Sequence, residues 1–164
     1  MLKKGSFLIF SICILFSITN CKTIQKPIVK APEYIPYFTF TTLENKRFTK
    51  ENLDNTRTKL FYYFNSECEH CEKQGSWISK DIELFEDLEV IFISFEEMDA
   101  IKGYQNKFNF VRDNITFLQD TRLTFSDKFG VGEFPSIILY TKGGKLIKKF
   151  EGETKVSEIA ASIQ

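Results

Sequence analysis

The chain has 164 residues, 43% of them hydrophobic, and its 22 basic residues balance its 22 acidic ones. This length suits one domain, and the apolar content excludes a disordered chain because so much hydrophobic surface offsets the entropy of ordering the backbone. A net charge of zero gives no long-range field to attract nucleic acid, so we expect the abundance of phenylalanine, with eighteen in the chain, to reflect core packing and not a base-stacking platform.

The first twenty residues have the pattern of an export signal. Lys3 and Lys4 precede an apolar stretch from Phe7 to Ile18, which is shorter than the ~20 residues needed to span a bilayer. A buried N-terminal helix is the alternative, but the flanking charge and the polar residues after Cys21 favour export. Residues 1–20 are therefore assigned to a signal peptide.

The end of this segment, Ile18-Thr19-Asn20-Cys21, resembles a bacterial lipobox, in which the cysteine is acylated and becomes the new N-terminus. Asn20 departs from the small residue that usually precedes such a cysteine. Each buried methylene contributes about 0.8 kcal/mol, so two or more acyl chains on Cys21 would give firm attachment. We expect a lipid-anchored protein of the cell envelope that faces the periplasm, with secretion and a free Cys21 as the alternative.

Residues 21–36 contain three prolines among polar residues and are predicted to be a tether. The folded domain is expected to extend over residues 37–164. Once Cys13 has left with the leader and Cys21 is acylated, Cys68 and Cys71 are the remaining thiols.

The domain alternates short apolar runs with helical patterns, which predicts an α/β fold. Apolar runs predict strands over Tyr37–Thr41, Arg47–Thr49, Lys59–Asn65, Leu88–Phe95, Ile115–Leu118, Ser136–Tyr140 and Leu146–Phe150. Helical spacing predicts helices from Cys68, over about Asp99–Phe108, over Leu123–Phe129 and from Val156. The first two strands form a predicted hairpin, the last two form another, and the strand–helix–strand order between them predicts parallel pairing.

The cysteine pair lies where a strand runs into a helix. If a helix begins at Cys68, the i and i+3 spacing places both sulfurs on one side of its first turn, with Cys68 exposed and Cys71 shielded. The unpaired N–H groups and the dipole of the helix start favour a thiolate on Cys68, which is the attacking species in thiol–disulfide exchange. In that cycle Cys71 resolves the mixed disulfide.

Two other interpretations of the pair are weaker. Zinc needs about four ligands, whereas the mature chain offers two cysteines and His70, which lies between them, so no metal site is expected. A structural disulfide over so short a loop would remove only ~2 kcal/mol of unfolded-chain entropy. We expect no cofactor other than the redox-active Cys68–Cys71 disulfide itself.

Residues beside the cysteines are expected to tune them. Protonated His70 stabilises a thiolate, whereas the carboxylates of Glu67, Glu69 and Glu72 oppose one. Solvent screens each exposed carboxylate, so we expect the helix start and His70 to prevail.

From Tyr37 to Gln164 the chain resembles the TlpA/ResA group of thioredoxin-like thiol–disulfide oxidoreductases. The resemblance is carried by the N-terminal hairpin, the aromatic strand before Cys68-Glu69-His70-Cys71, the inserted strand and helix, and Phe134-Pro135 before a hairpin with Gly143-Gly144. It implies a thioredoxin-like fold with a mixed central sheet flanked by helices and an N-terminal β-hairpin extension.

The resemblance also implies that Pro135 follows a cis peptide and that Phe134 and Pro135 form part of the substrate groove. A trans proline at the start of an edge strand is the alternative. Two positions depart from the group: Gln74 stands where similar proteins often carry a proton-handling glutamate, and Glu67 replaces the usual aromatic residue before the first cysteine.

These features predict an oxidoreductase that reduces disulfides of exported proteins, with protein thiols and disulfides as substrates and a membrane thiol reductant that restores it. The main alternative is a lipoprotein that binds peptides in the same groove and has an inert disulfide. A peroxidase is disfavoured because Asn65-Ser66-Glu67 lacks the Thr and Pro framework of peroxiredoxins.

Overall fold

The computed structural model describes residues 30–163, and within that range the chain forms a seven-stranded sheet with α-helices on both faces. The strands are β1 (Thr39–Thr42), β2 (Arg47–Thr49), β3 (Thr58–Tyr63), β4 (Leu88–Ser94), β5 (Ile115–Gln119), β6 (Ser136–Tyr140) and β7 (Leu146–Glu151). The helices are α1 (Glu69–Lys80), α2 (Met98–Lys107), α3 (Phe125–Phe129) and α4 (Val156–Ala161). Short 3-10 helices cover Lys50–Asn52 and Ile82–Phe85.

The strand order is β2-β1-β5-β4-β3-β6-β7. The three central strands β5, β4 and β3 are parallel, and the outer pairs are antiparallel. Because parallel strands end at the same edge of a sheet, the loops after β3, β4 and β5 meet there. The cysteine pair follows β3 and therefore lies at this edge.

Side-chain alternation along β3 builds a core on each face of the sheet. Leu60 and Tyr62 point into a core shared with α1, α2 and α4, whereas Phe61 and Tyr63 point into a second core shared with α3. Every residue of β4 is buried, including Glu89 and Ser94, which agrees with its predicted central position in the sheet. The phenylalanines of residues 30–163 are distributed over both cores, which confirms their predicted packing role in this part of the chain.

The predicted fold class is confirmed: a mixed sheet is flanked by helices, and the hairpin of β1 and β2 extends it through pairing of β1 with β5. Gly130 ends α3 in a left-handed conformation (φ 64°), which glycine adopts without steric cost. The second predicted hairpin, β6 and β7, also forms.

The folded region begins earlier than the predicted boundary at Tyr37. Ala31 and Ile35 are buried against the second core, the Ile35 N–H donates to Gly144 O (2.9 Å), and Glu33 O accepts from the Leu146 N–H (2.7 Å). Residues 31–36, which we call the N-terminal strap, therefore pack on the domain and do not form part of a free tether. Prolines fit this extended segment because it needs few backbone donors.

The signal peptide, the lipidation site Cys21 and the first part of the tether lie outside the described residues, so their assignments stay predictions. Within residues 30–163, no helix is long and apolar enough to cross a membrane.

Candidate active site

Cys68 is the N-cap of α1, and its carbonyl accepts the first helical hydrogen bond from the Glu72 N–H (2.9 Å). The preceding loop is folded on itself, since the Cys68 N–H donates to Asn65 O (3.2 Å) and the Glu67 N–H donates to Asn65 Oδ1 (2.9 Å). An asparagine commonly makes such a local turn just before a helix. The strand end, the turn and the helix start thus fix the position of Cys68.

The two thiols differ in their surroundings. Cys68 is partly exposed, whereas Cys71, one turn into α1, is completely buried. Burial raises the pKa of the Cys71 thiol to about 12, although the N–H of Asn65, 3.5 Å from its sulfur, lowers it. At neutral pH Cys71 is a protonated thiol. Cys68 is the more exposed of the two cysteines, as the sequence predicted.

Phe134 and Pro135 lie at the same edge of the sheet, just before β6. The peptide bond between them is cis, which confirms the expectation drawn from the family resemblance. The ring of Phe134 packs in tilted contacts against Tyr63 at the end of β3 (4.7 Å between centroids) and Phe95 after β4 (5.8 Å). This half-buried aromatic cluster beside the cysteine loop is a suitable wall for a groove, although the groove itself stays a prediction.

His70 and Glu69 occupy the exposed first turn of α1. His70 Nδ1 contacts Glu153 Oε1 at 2.5 Å, and Lys73 Nζ contacts the other oxygen at 2.5 Å. These partners hold the pKa of Glu153 below its usual value, with the hydrogen bond from His70 as the largest cause. Glu153 lies between β7 and α4, so His70 has a carboxylate partner that the sequence did not indicate.

Two side chains near the cysteines have structural roles. Gln74 is fully buried, and its amide Nε2 donates to Thr154 O (2.9 Å) while its Oε1 accepts from the Thr154 N–H (2.7 Å). Gln74 thus ties α1 to the loop before α4. Glu72 pairs with Lys107 at the surface.

Glu96, which follows β4, binds the loop between β3 and α1 that leads to Cys68. Its carboxylate accepts hydrogen bonds from Ser66 N (2.7 Å), Ser66 Oγ (2.6 Å) and Ser94 Oγ (2.8 Å). No sequence pattern predicted this contact, because Glu96 lies thirty residues from Ser66 and belongs to no recognisable motif.

Within residues 30–163, no group of three or more His, Cys, Asp or Glu side chains is arranged to hold a metal ion.

A family model described as a thioredoxin-like domain matches residues 46–164. A thioredoxin-like protein of Haemophilus influenzae is 26% identical over 144 residues, which cover 87% of this chain and 81% of the relative.

Solved structures of similar fold include a secreted Mycobacterium tuberculosis disulfide oxidoreductase homologous to E. coli DsbE. It has a TM-score of 0.64 and 19% identity, and the match covers 76% of this chain and 92% of that one. DsbF of M. tuberculosis has a TM-score of 0.67 and 17% identity, covering 81% and 96%. A peroxiredoxin-like protein of Aquifex aeolicus also matches, with a TM-score of 0.64 and 18% identity, covering 83% and 86%. At these identities the similarity shows a shared fold only. Proteins with different thiol reactions share this fold.

Proposed function

Because the chain belongs to the thioredoxin-like domain family, we propose that it is a thiol–disulfide oxidoreductase that acts on exported proteins through Cys68 and Cys71. The observation that carries the proposal is the asymmetry of the pair: Cys68 is accessible at the helix N-cap and Cys71 is buried one turn below. This arrangement lets the Cys68 sulfur form a mixed disulfide with a partner, which the Cys71 sulfur then resolves.

In the reductive direction the Cys68 thiolate attacks a client disulfide, forms a disulfide with one client sulfur and releases the other as a thiolate. The Cys71 thiol then loses its proton to solvent, and its sulfur attacks Cys68 Sγ, which breaks the mixed disulfide and releases the second client thiolate. The client gains two electrons, the cysteine pair loses two, and the client thiolates take protons from water.

The reductive direction is supported by the resemblance of residues 37–164 to the TlpA/ResA group. A membrane thiol reductant of the TlpA/ResA type of pathway would then restore the reduced pair.

The proposed location is the cell envelope, with Cys21 acylated and the domain facing the periplasm. The support is the leader-like sequence before Cys21 and the description of the similar M. tuberculosis oxidoreductase as secreted. Labelling with a radioactive or alkyne fatty acid, lost in Cys21→Ser, tests the anchor.

The function is tested by the reduction potential of the pair, measured on the protein starting after Cys21 in defined thiol buffers with an alkylation readout. A potential between roughly −300 and −120 mV means an exchange-competent pair, and the low end of this range means a reductase. A value well below about −300 mV means an inert disulfide and a peptide-binding module.

A trapping experiment complements the potential. Cys71→Ser should accumulate mixed disulfides between Cys68 and client proteins, because the resolving sulfur is absent. Cys68→Ser is the matched control and should accumulate none, since Cys71 is buried. Equal trapping by both variants would contradict the assigned roles.

A further inference from the structure

A cleft of about 200 Å³ lies at the edge of the sheet opposite the cysteines, which we call the lysine cleft. It is bounded by the N-terminal strap, the 3-10 helix over Lys50–Asn52, the start of β3 and the turn between β6 and β7. Three lysines line it, Lys50, Lys59 and Lys142, and among the described residues no acidic one does. The wall of the cleft is therefore positively charged.

Lys59 is the buried member of the three lysines. It is the second residue of β3, and only 1% of its surface is exposed. A buried ammonium group needs acceptors for its three protons. Within the described chain, Lys59 Nζ has one hydrogen-bond acceptor, Lys142 O at 2.9 Å. Since Lys142 also lines the cleft, the Lys59 ammonium lies at the wall with two further protons to donate.

The acidic neighbours of Lys59 do not take these protons. Glu89 stands beside Lys59 in the parallel pair of β3 and β4, but its Oε2 accepts from the Asp54 N–H (2.9 Å) and, in the described part of the chain, it forms no ion pair with Lys59. Burial lowers the pKa of Lys59, and the charges of Glu89 and Asp54 oppose this effect. The two carboxylates thus favour the ammonium form without occupying its remaining donors.

The other two lysines reach the cleft from separate elements. Lys50 Nζ donates to Ile35 O (2.6 Å) in the strap, and because Ile35 also lines the cleft, this ammonium too lies at its wall. Lys142 is exposed in the turn between β6 and β7, and its ammonium has no acceptor within residues 30–163. Ammonium groups from three elements are therefore available to one ligand.

The complementary ligand carries negative charge and several acceptor oxygens. A lysine ammonium is a compact point charge that commonly binds phosphate, whereas the planar fork of arginine matches a carboxylate. No arginine is among the described residues that line the cleft. We propose that the lysine cleft binds a phosphate group, held by Lys50, Lys59 and Lys142.

This site is separate from the thiol chemistry. Lys59 lies at the start of β3 and the cysteine loop follows its end, so the length of a six-residue strand, roughly 20 Å, separates the two sites. The phosphate has two possible sources: a free phosphate ion, or the phosphodiester of a lipid in the membrane to which Cys21 would be anchored. A lipid phosphate would hold this edge toward the membrane and leave the cysteines on the far side.

The test is an NMR titration of the full-length, ¹⁵N-labelled protein in a maltoside detergent and a buffer without phosphate. Sodium phosphate is added at constant ionic strength, because changes in screening alone would also move signals from charged regions. The amide signals of Gly143 and Gly144, which line the cleft, should shift and saturate. A second titration uses glycerophosphoglycerol, the soluble headgroup diester of phosphatidylglycerol.

Two variants and a matched control assign the binding to the cleft. Lys59→Met should weaken phosphate binding by about tenfold or more, because a hydrogen bond from a charged group is lost. Lys142→Met should also weaken it, and this exposed position keeps the proposal testable if Lys59→Met does not fold. Lys145→Met removes the same charge from a residue that pairs with Glu33 (3.9 Å) outside the cleft, so it should change the Kd by less than twofold.

Each outcome decides a point. A lower Kd for inorganic phosphate identifies the free ion as the source, and a lower Kd for the diester identifies a lipid headgroup; either supports the site. Shifts that do not saturate with either probe would overturn the proposal. Equal weakening by Lys142→Met and Lys145→Met would overturn it as well, since it would show attraction by net charge and no defined site.

Discussion

Cys68 and Cys71 are only three positions apart, yet Cys68 is partly exposed and Cys71 is completely buried. This difference in exposure determines which thiol can react. The pKa of Cys71 is about 12, so on the order of 10⁻⁴ of the molecules carry a Cys71 thiolate at pH 8. The reduced protein should therefore behave as if it had one reactive thiol in the domain.

We expect iodoacetamide to modify Cys68 and leave Cys71 unmodified in the native reduced protein between pH 7 and 8, because reaction requires an accessible thiolate. Both should react in urea. Mass spectrometry of peptides after timed alkylation checks this. Comparable native rates at the two sites would mean that Cys71 is reached from solvent.

The Gln74 position allows a test of how well this site would accept a glutamate. In Gln74→Glu the carboxylate can still accept from the Thr154 N–H, but it can donate to Thr154 O only when protonated. We expect the variant to be about 2 kcal/mol less stable than wild type at pH 8, because a buried charge faces a carbonyl. The introduced carboxyl holds its proton more tightly in the folded state than in the unfolded state. The loss of stability relative to wild type should therefore shrink as the pH falls toward 5.

Urea unfolding of both proteins at pH 5 and pH 8 measures this difference, and the wild type at each pH corrects for all other titrating groups. A deficit that is the same at both pH values would contradict the argument. It would mean that the glutamate and Thr154 move apart.

Glu96 has three donors on its carboxylate, two of them from Ser66. Glu96→Ala should cost about 1–3 kcal/mol, because the Ser66 N–H and two hydroxyls lose their acceptor. It should also speed amide hydrogen exchange at Ser66. Glu97→Ala, at the exposed neighbouring position, should stay within about 0.5 kcal/mol of wild type. If both variants unfold at the same urea concentration, Glu96 does not hold the loop.

At the scale of elements, the sequence predicted the seven strands and four α-helices of residues 30–163, with boundaries that differ by a few residues from those observed, but it did not predict the two 3-10 helices. The strand over Leu88–Ser94 and the helix that begins after Cys68 have strong local signals: a largely apolar run and an apolar spacing of three to four residues. Contacts between distant elements were missed. Gln74 and Thr154 are 80 residues apart, and no local pattern in one sequence connects them.

Two helical glycines should respond in opposite directions to the same change. Glycine in a helix normally costs up to about 1 kcal/mol relative to alanine, so Gly103→Ala in α2, where a Cβ meets nothing within 4 Å, should stabilise the protein by about 0.5–1 kcal/mol. Gly75→Ala in α1 should destabilise it by about 1–3 kcal/mol, because the Cβ would collide with the bonded Tyr104 hydroxyl. Urea midpoints decide the signs. Stabilisation by both changes would mean that Tyr104 moves aside freely.

At the scale of the whole molecule, the sheet separates two cores, and the N-terminal strap covers part of the second. The sequence placed residues 31–36 in a tether because Pro32 and Pro36 suit an extended segment. Proline does not distinguish an extended segment in solvent from one packed on a domain, since φ is fixed in either case. The distinction depends on Gly144 and Leu146, more than a hundred residues away, which bond to the strap.

A protein that begins at Tyr37 should therefore be less stable than one that begins at Lys30. Removal of the strap exposes the site of Ile35 and deprives the Leu146 N–H and the Lys50 ammonium of their acceptors. The expected loss is about 3 kcal/mol, from one buried aliphatic side chain and two hydrogen bonds. Urea unfolding of both forms measures this loss. Ile35→Ala in the longer form should destabilise the protein by about half as much as the truncation, since that change leaves the strap's backbone hydrogen bonds in place. Equal midpoints for the two forms would return the domain boundary to Tyr37 and leave the strap as a segment that rests on the surface without stabilising it.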